Sequence, residues 1–168
     1  MSVTIRAFTE GDTEAVLALW QQAFPEYNDA SRPHRNPRLS IANKLGTQPE
    51  LFFVALRHDG DAGGDDDGTL VGTAMAGYDG HRGWLYSVAV APEVRRHGVG
   101  TRLVRHAESA LAEMGCLKLN LQVLTDKAEV LAFYERLGYR ADAVVSLGKR
   151  LAVQDSEALV TSAARSAP

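Results

Sequence analysis

Residues 85 to 124 constrain the fold of this chain more than any other stretch. Leu85-Tyr86-Ser87-Val88-Ala89-Val90 is strand-like, and Ala91-Pro92-Glu93 ends it. The loop Arg95-Arg96-His97-Gly98-Val99-Gly100 follows, and Val99, Leu103, Val104, Ala107, Leu111 and Met114 then recur on one helical face. Leu117, Leu119, Leu121 and Val123 alternate as a further strand. A strand, a helix and a strand in such close succession form a crossover, and a crossover makes the two strands parallel. The glycine loop lies where strand hands over to helix. Gly98 and Gly100 remove the Cβ atoms that would hold an anion off the backbone, and the helix opens with unpaired amides at the positive end of its dipole. Arg95 and Arg96 add charge and Thr101 offers a hydroxyl, so the junction is suited to a polyphosphate.

The rest of the chain supplies a mixed sheet around this crossover. Residues 3–8 read as a first strand, with Thr9-Glu10-Gly11-Asp12 as turn and helix cap. Ala15, Val16, Leu19, Trp20 and Phe24 mark a first helix that stops near Pro25. Residues 25–38 hold three prolines together with Arg32, His34, Arg35 and Arg38 and read as a long surface loop, a candidate substrate lid. A short second helix over 39–47 leads into a buried-type strand at 51–56. The Asp- and Gly-rich stretch 59–68 lacks calcium-loop spacing, since from Asp59 the fifth position is Gly63 and the twelfth Leu70, and is read as a solvated hairpin connection. Strands follow at 70–78 and 84–90 around a tight reversal at 79–83, with a helix at 127–137 closed by Gly138 after the crossover. Strand character resumes over 139–151, and the order is β α α β β β α β α β. Residues 1–154 are read as one domain, and the Ser- and Ala-rich 155–168 as a frayed tail.

Composition excludes several classes. A content of 45% apolar and 23% charged residues is that of an ordinary globular chain, and no run approaches the ~20 apolar residues of a membrane span. The start of the chain has no basic segment followed by an apolar one, so a cytoplasmic protein away from membranes is expected. The single cysteine, Cys116, rules out an internal disulfide or a multi-cysteine metal cage, is read as a small core residue, and no metal is expected. A net charge of -3 gives no support to nucleic-acid binding. The basic residues at 95, 96, 102 and 105 cluster locally instead, as suits one small anionic ligand.

Two nucleotide-binding patterns fail on the glycine loop. The dinucleotide GxGxxG would place its third glycine on Leu103, and no GxxxxGK with Ser or Thr exists. What remains is Arg95-x-x-Gly98-x-Gly100, followed one strand later by Ala132-Phe133-Tyr134-Glu135-Arg136-Leu137-Gly138-Tyr139. With both segments in this order, residues 3 to 151 resemble the GCN5-related N-acetyltransferase (GNAT) superfamily. Gly77-Tyr78-Asp79-Gly80-His81-Arg82-Gly83 and Ser146-Leu147-Gly148-Lys149-Arg150-Leu151 are similar to its small bacterial YpeA-like branch. The resemblance implies an α+β fold: a mixed, mostly antiparallel sheet with a splayed parallel pair of strands 4 and 5, flanked by about four helices.

It further implies acetyl-CoA as co-substrate and transfer of the acetyl group to a primary amine of a small molecule or peptide, by direct attack in a ternary complex. The pantetheine arm would lie along Val88, Ala89 and Val90, and the pyrophosphate on Arg95, Arg96, His97, Gly98, Val99, Gly100 and Thr101. Tyr134 would stand beside the sulfur as general acid. Histone-type relatives carry a glutamate base where this chain has Trp84, which cannot accept a proton. Tyr86, Ser87, Asp79 and His81 are the candidates to act directly or through water. Lys127 stands where many relatives have a cofactor-contacting asparagine. The absent glutamate motivates an alternative, an acyl-CoA-binding regulatory module with little turnover. Acceptor identity and oligomeric state stay open, a homodimer included.

Overall fold

The computed structural model describes residues 1–29, 32–59 and 68–151. Strands β1 (Ser2–Ala7), β2 (Phe52–His58), β3 (Thr69–Tyr78), β4 (Gly83–Val90) and β5 (Leu119–Leu121) form one sheet in chain order. The first four pair antiparallel, and β4 pairs parallel with β5 at Gly83↔Leu119, Trp84↔Asn120 and Leu85↔Leu121. The helices are α1 (Thr13–Ala23), α2 (Pro37–Leu45), α3 (Val99–Glu113) and α4 (Ala128–Arg136). The crossover between β4 and β5 runs through α3, as its apolar periodicity requires.

Neighbouring strand residues face opposite sides of a sheet. A Cβ on Gly72 would meet Leu103 of α3 at 2.8 Å, whereas Thr73 bonds Trp20 of α1, so α3 and α1 cover opposite faces. Both interfaces are dry: Trp20, Leu103, Val104, Ala107 and Phe52 have no exposed surface. Arg6 grips the carboxylate of Asp12 with two guanidinium bonds of 2.7 and 2.9 Å, and the Thr9 amide donates to the same group, fixing the entry to α1.

Several expectations change. Residues 139–151 join no ladder. Side chains hold them beside β5, through Lys118 and Asn120 to Asp142 and Gln122 to Ser146. The alternation of Leu117 to Val123 overstates β5, because the register with β4 lasts three residues and Leu117 is fully in solvent. Met114 follows the end of α3 and is exposed, while the other five apolar positions are buried. Cys116 is half-buried and packs where a side chain on Gly83 would have to be, 2.7 Å from its Cβ position. The stretch 25–38 is less irregular than its prolines suggest: it contains single turns at Pro25–Asn28 and Pro33–Arg35, and Pro37 already opens α2 behind the Asn36 cap. Most of the 59–68 connection and the 155–168 tail lie outside the described residues. No helix among the described residues is long and apolar enough to cross a membrane, and none of their His, Cys, Asp and Glu side chains form a group of three that could hold a metal.

Candidate active site

The site opens where the parallel ladder ends. β4 continues to Val90 after its last pair with β5 at Leu85, so its β5-facing edge from Tyr86 onward has no strand partner among the described residues. The divergence is built into β4 by a bulge. Thr73 pairs with Ala89 and Met75 with Tyr86, which leaves two β4 residues, Ser87 and Val88, opposite the single Ala74. Ser87 takes a left-handed φ of 50°, a conformation that costs a side-chain-bearing residue ~1–2 kcal/mol. Its carbonyl accepts from the Thr73 hydroxyl at 3.0 Å, Thr73 accepts from the Trp20 indole at 2.8 Å, and the Ser87 and Tyr27 hydroxyls lie 3.1 Å apart. Tyr27 stacks edge-on against Trp20 and comes from the start of the proline-rich stretch, so that stretch is anchored at the bulge. The sequence singled out Ser87 but gave no signal for Thr73 or Tyr27, whose roles arise from a strand register.

At the far end of the opening, α3 begins on Gly98 at φ 78°, with no side-chain cap and no acidic residue in its first turn. The amides of Val99, Gly100 and Thr101 therefore point outward unclaimed by a carboxylate. A Cβ on Gly100 would sit in ordinary contact, 3.4 Å from Phe133 and 3.5 Å from Val90, so the end of β4, the start of α3 and α4 meet at this residue. Phe133 is the neighbour of Tyr134, which brings the two sequence motifs together in space. Tyr134 is buried against Phe133 and Tyr139, its hydroxyl has no hydrogen-bond partner among the described residues, and burial pushes its pKa up to about 12.

The basic cluster divides. Arg95 turns back, its Nε donating to the Val90 carbonyl at 3.2 Å, and the loop closes further through His97 Nδ1 and the Arg95 carbonyl at 2.8 Å. Arg102 reaches the Val3 carbonyl on β1 and Arg105 pairs with Glu108, so both have partners outside the glycine loop. Arg96, exposed with φ 64°, remains at the loop tip. Lys127 is exposed at the start of α4 and its side chain caps nothing.

Of the candidate bases, Asp79 is a turn builder. Its Oδ1 accepts from the amides of His81 at 2.8 Å and Arg82 at 2.6 Å, and its Oδ2 from the Trp84 indole. Those amide bonds, Arg82's first, hold its carboxyl below the usual range, which makes it a poor proton acceptor. His81 is exposed on the same turn. Trp84 and Tyr86 are exposed on the α1 face of β4, and Asn120, the register partner of Trp84, carries a buried side-chain oxygen without a partner. Beneath the Tyr86 ring lies a residue the sequence did not flag. Lys44 of α2 is buried, donates to the Ala76 carbonyl, and sits 5.8 Å from the ring centroid.

Burial lowers the pKa of Lys44 from 10.5 to about 8. Between these values the unfolded chain keeps a proton that the folded chain has released, so stability rises with pH across that window. Urea denaturation at pH 8 and 10.5 should show wild type gaining up to about 3 kcal/mol relative to Lys44→Met. A constant difference would mean that the amine titrates normally.

The mixed sheet with its parallel β4–β5 pair agrees with the comparisons. The acetyltransferase (GNAT) family model matches residues 13–139. An acetyltransferase of Yersinia pestis (strain Pestoides F) is 40% identical over 149 residues, covering 89% of this chain and 96% of the relative. Among solved structures, Ard1 from Thermoplasma volcanium superposes with a TM-score of 0.68 at 27% identity, over 85% of this chain and 86% of that one. The PaiA N-acetyltransferase of Thermoplasma acidophilum, solved with coenzyme A, gives a TM-score of 0.68 at 19% identity, over 86% and 94%. The chain belongs to the acetyltransferase (GNAT) family. It is an acetyl-transferring enzyme, with the mixed sheet and parallel strand pair expected of that family.

Proposed function

We propose that the protein transfers an acetyl group from acetyl-CoA to a primary amine of a small molecule or peptide, by direct attack within a ternary complex. The observation that carries this reading is the uncapped start of α3 at left-handed Gly98, opening onto the unpaired edge of β4. Family membership and the coenzyme A complex of PaiA support it. The residues fit the donor: an anion can approach the Val99, Gly100 and Thr101 amides because no side chain caps them and the space at Gly98 is open, while Phe133 borders the Gly100 position. Bound acetyl-CoA supplies an activated thioester carbonyl.

The chain's own residues then do three things. The amides from Arg96 to Thr101, with the exposed Arg96 guanidinium, hold the pyrophosphate, while Arg95 and His97 shape the loop that presents them. The β4 main chain at Val88, Ala89 and Val90 lines the pantetheine arm and directs an amide at the carbonyl oxygen, where negative charge grows during attack. Tyr134, kept protonated by burial, donates to the departing sulfur. No carboxylate base stands at Trp84, so the amine loses its proton to water at the exposed face of β4 around Trp84 and Tyr86. The same reading makes the protein cytoplasmic, without nucleic-acid or membrane partners.

Thiol release from acetyl-CoA, followed across a panel of alkylamines, amino acids, aminoglycosides and peptides, tests the assignment. Acetylation at nitrogen in the product, verified by mass spectrometry, is the expected result. Donor binding without turnover on any amine would instead support an acyl-CoA-sensing module.

A further inference from the structure

We propose that Trp20, Thr73 and Tyr27 are positioning residues that set the reactive geometry of β4 by pinning the bulged Ser87. This rests on the reading of β4 as the strand that faces the thioester. The direction of the bonds follows from chemistry. An indole nitrogen only donates, so Thr73 must accept from Trp20 and is left with one proton, which goes to the Ser87 carbonyl. That carbonyl is therefore fixed by a side chain from β3. The other polar handle of Ser87, its hydroxyl, is held by Tyr27.

Three segments thus converge on one residue whose left-handed φ it would not adopt unaided: α1 through Trp20, β3 through Thr73, and the turn after α1 through Tyr27. Packing alone does not explain the choice of side chain. Thr73 has no exposed surface and lies mid-strand among Val71, Ala74 and Met75, where valine would fill the same space. Its hydroxyl satisfies the buried Trp20 indole and carries the bond on to the Ser87 carbonyl. Without that bond, Ser87 is free to relax toward extended backbone, and the Val88 main chain rotates away from the opening between β4 and β5. Because Tyr27 lies in the Pro25–Asn28 turn, that turn and the aim of the Val88 main chain are coupled through the same serine.

Infrared difference spectra of bound [1-13C]acetyl-CoA read this aim directly, since a hydrogen bond to the thioester oxygen shifts its carbonyl band to lower frequency. Wild type should show the shift. Thr73→Val should lose it while acetyl-CoA affinity by calorimetry stays within about threefold, a change of under ~1 kcal/mol. Thr73→Ser should restore it, and Tyr27→Phe should weaken it. A wild-type band position in Thr73→Val overturns the inference. If Thr73→Val does not fold, Tyr27→Phe decides, with an unchanged band overturning the proposal and a diminished shift supporting it. Failure of wild type to bind acetyl-CoA, or to shift the band, would remove the functional reading and this inference with it. A shift shared by wild type and Thr73→Val would remove the inference alone.

Discussion

Gly100→Glu is expected to abolish acetyl-CoA binding, with affinity falling ~100-fold or more. Two effects act in the same direction. The Cβ at residue 100 would lie at ordinary contact distance from Phe133 and Val90, at 3.4 and 3.5 Å, so the remaining glutamate atoms must project over the first turn of α3. There the carboxylate competes for the amides that would otherwise face pyrophosphate, and it repels the ligand's charge. Losing two or so charge-assisted hydrogen bonds corresponds to ~3–6 kcal/mol, well beyond tenfold. Gly100→Gln keeps the bulk and removes the charge, so its smaller loss isolates electrostatics from sterics. Gly100→Ala adds only a contact of normal length and should bind nearly as wild type. Isothermal titration with acetyl-CoA distinguishes the series, and a Gly100→Glu protein binding within tenfold of wild type would discredit the α3 cradle.

Gly98 differs in mechanism from Gly100. Nothing lies near its Cβ position, but its φ of 78° strains any other residue. Two glycines that look equivalent in sequence therefore differ: one permits a backbone turn, and the other stands where three elements meet with room for little more than a methyl group.

This contrast shows what was legible from residue order. The crossover, the parallel pair and the uncapped helix follow from apolar spacing, glycine placement and a proline stop, all local signals. Tyr134 and the glycine loop stand out in the sequence because both lie in short motifs. The bulge was not, because it is a mismatch of register between β3 and β4, and no local pattern in Thr73 or Ser87 announces it. Lys44 was missed for the opposite reason: a lysine on a short helix reads as solvated, and only tertiary packing under Tyr86 buries it. Arg102 and Arg105 lie close in sequence to the glycine loop but take partners elsewhere, since closeness in sequence does not oblige a side chain to point there. On a helix, 102 and 105 fall on a face turned toward β1 and Glu108.

Tyr134→Phe should lower turnover by ~10- to 100-fold while acetyl-CoA affinity remains at the wild-type level. The ring stays in its packing, 5.0 Å from Phe133 and 5.4 Å from Tyr139, so the fold is preserved. The hydroxyl has no hydrogen-bond partner among the described residues, and its removal strands no buried donor or acceptor. Only the proton for the departing sulfur is lost. A thiol of pKa about 8.5 leaves with modest assistance, which caps the penalty at the lower end of general-acid effects. With a pKa of about 12, Tyr134 stays protonated through pH 10, so the ratio of wild-type to variant turnover should be flat between pH 7 and 10. A phenol titrating near 9 would instead make that ratio collapse as pH rises. Steady-state thiol release at saturating acetyl-CoA measures the ratio, and equal turnover in the two proteins would leave the sulfur to depart without Tyr134.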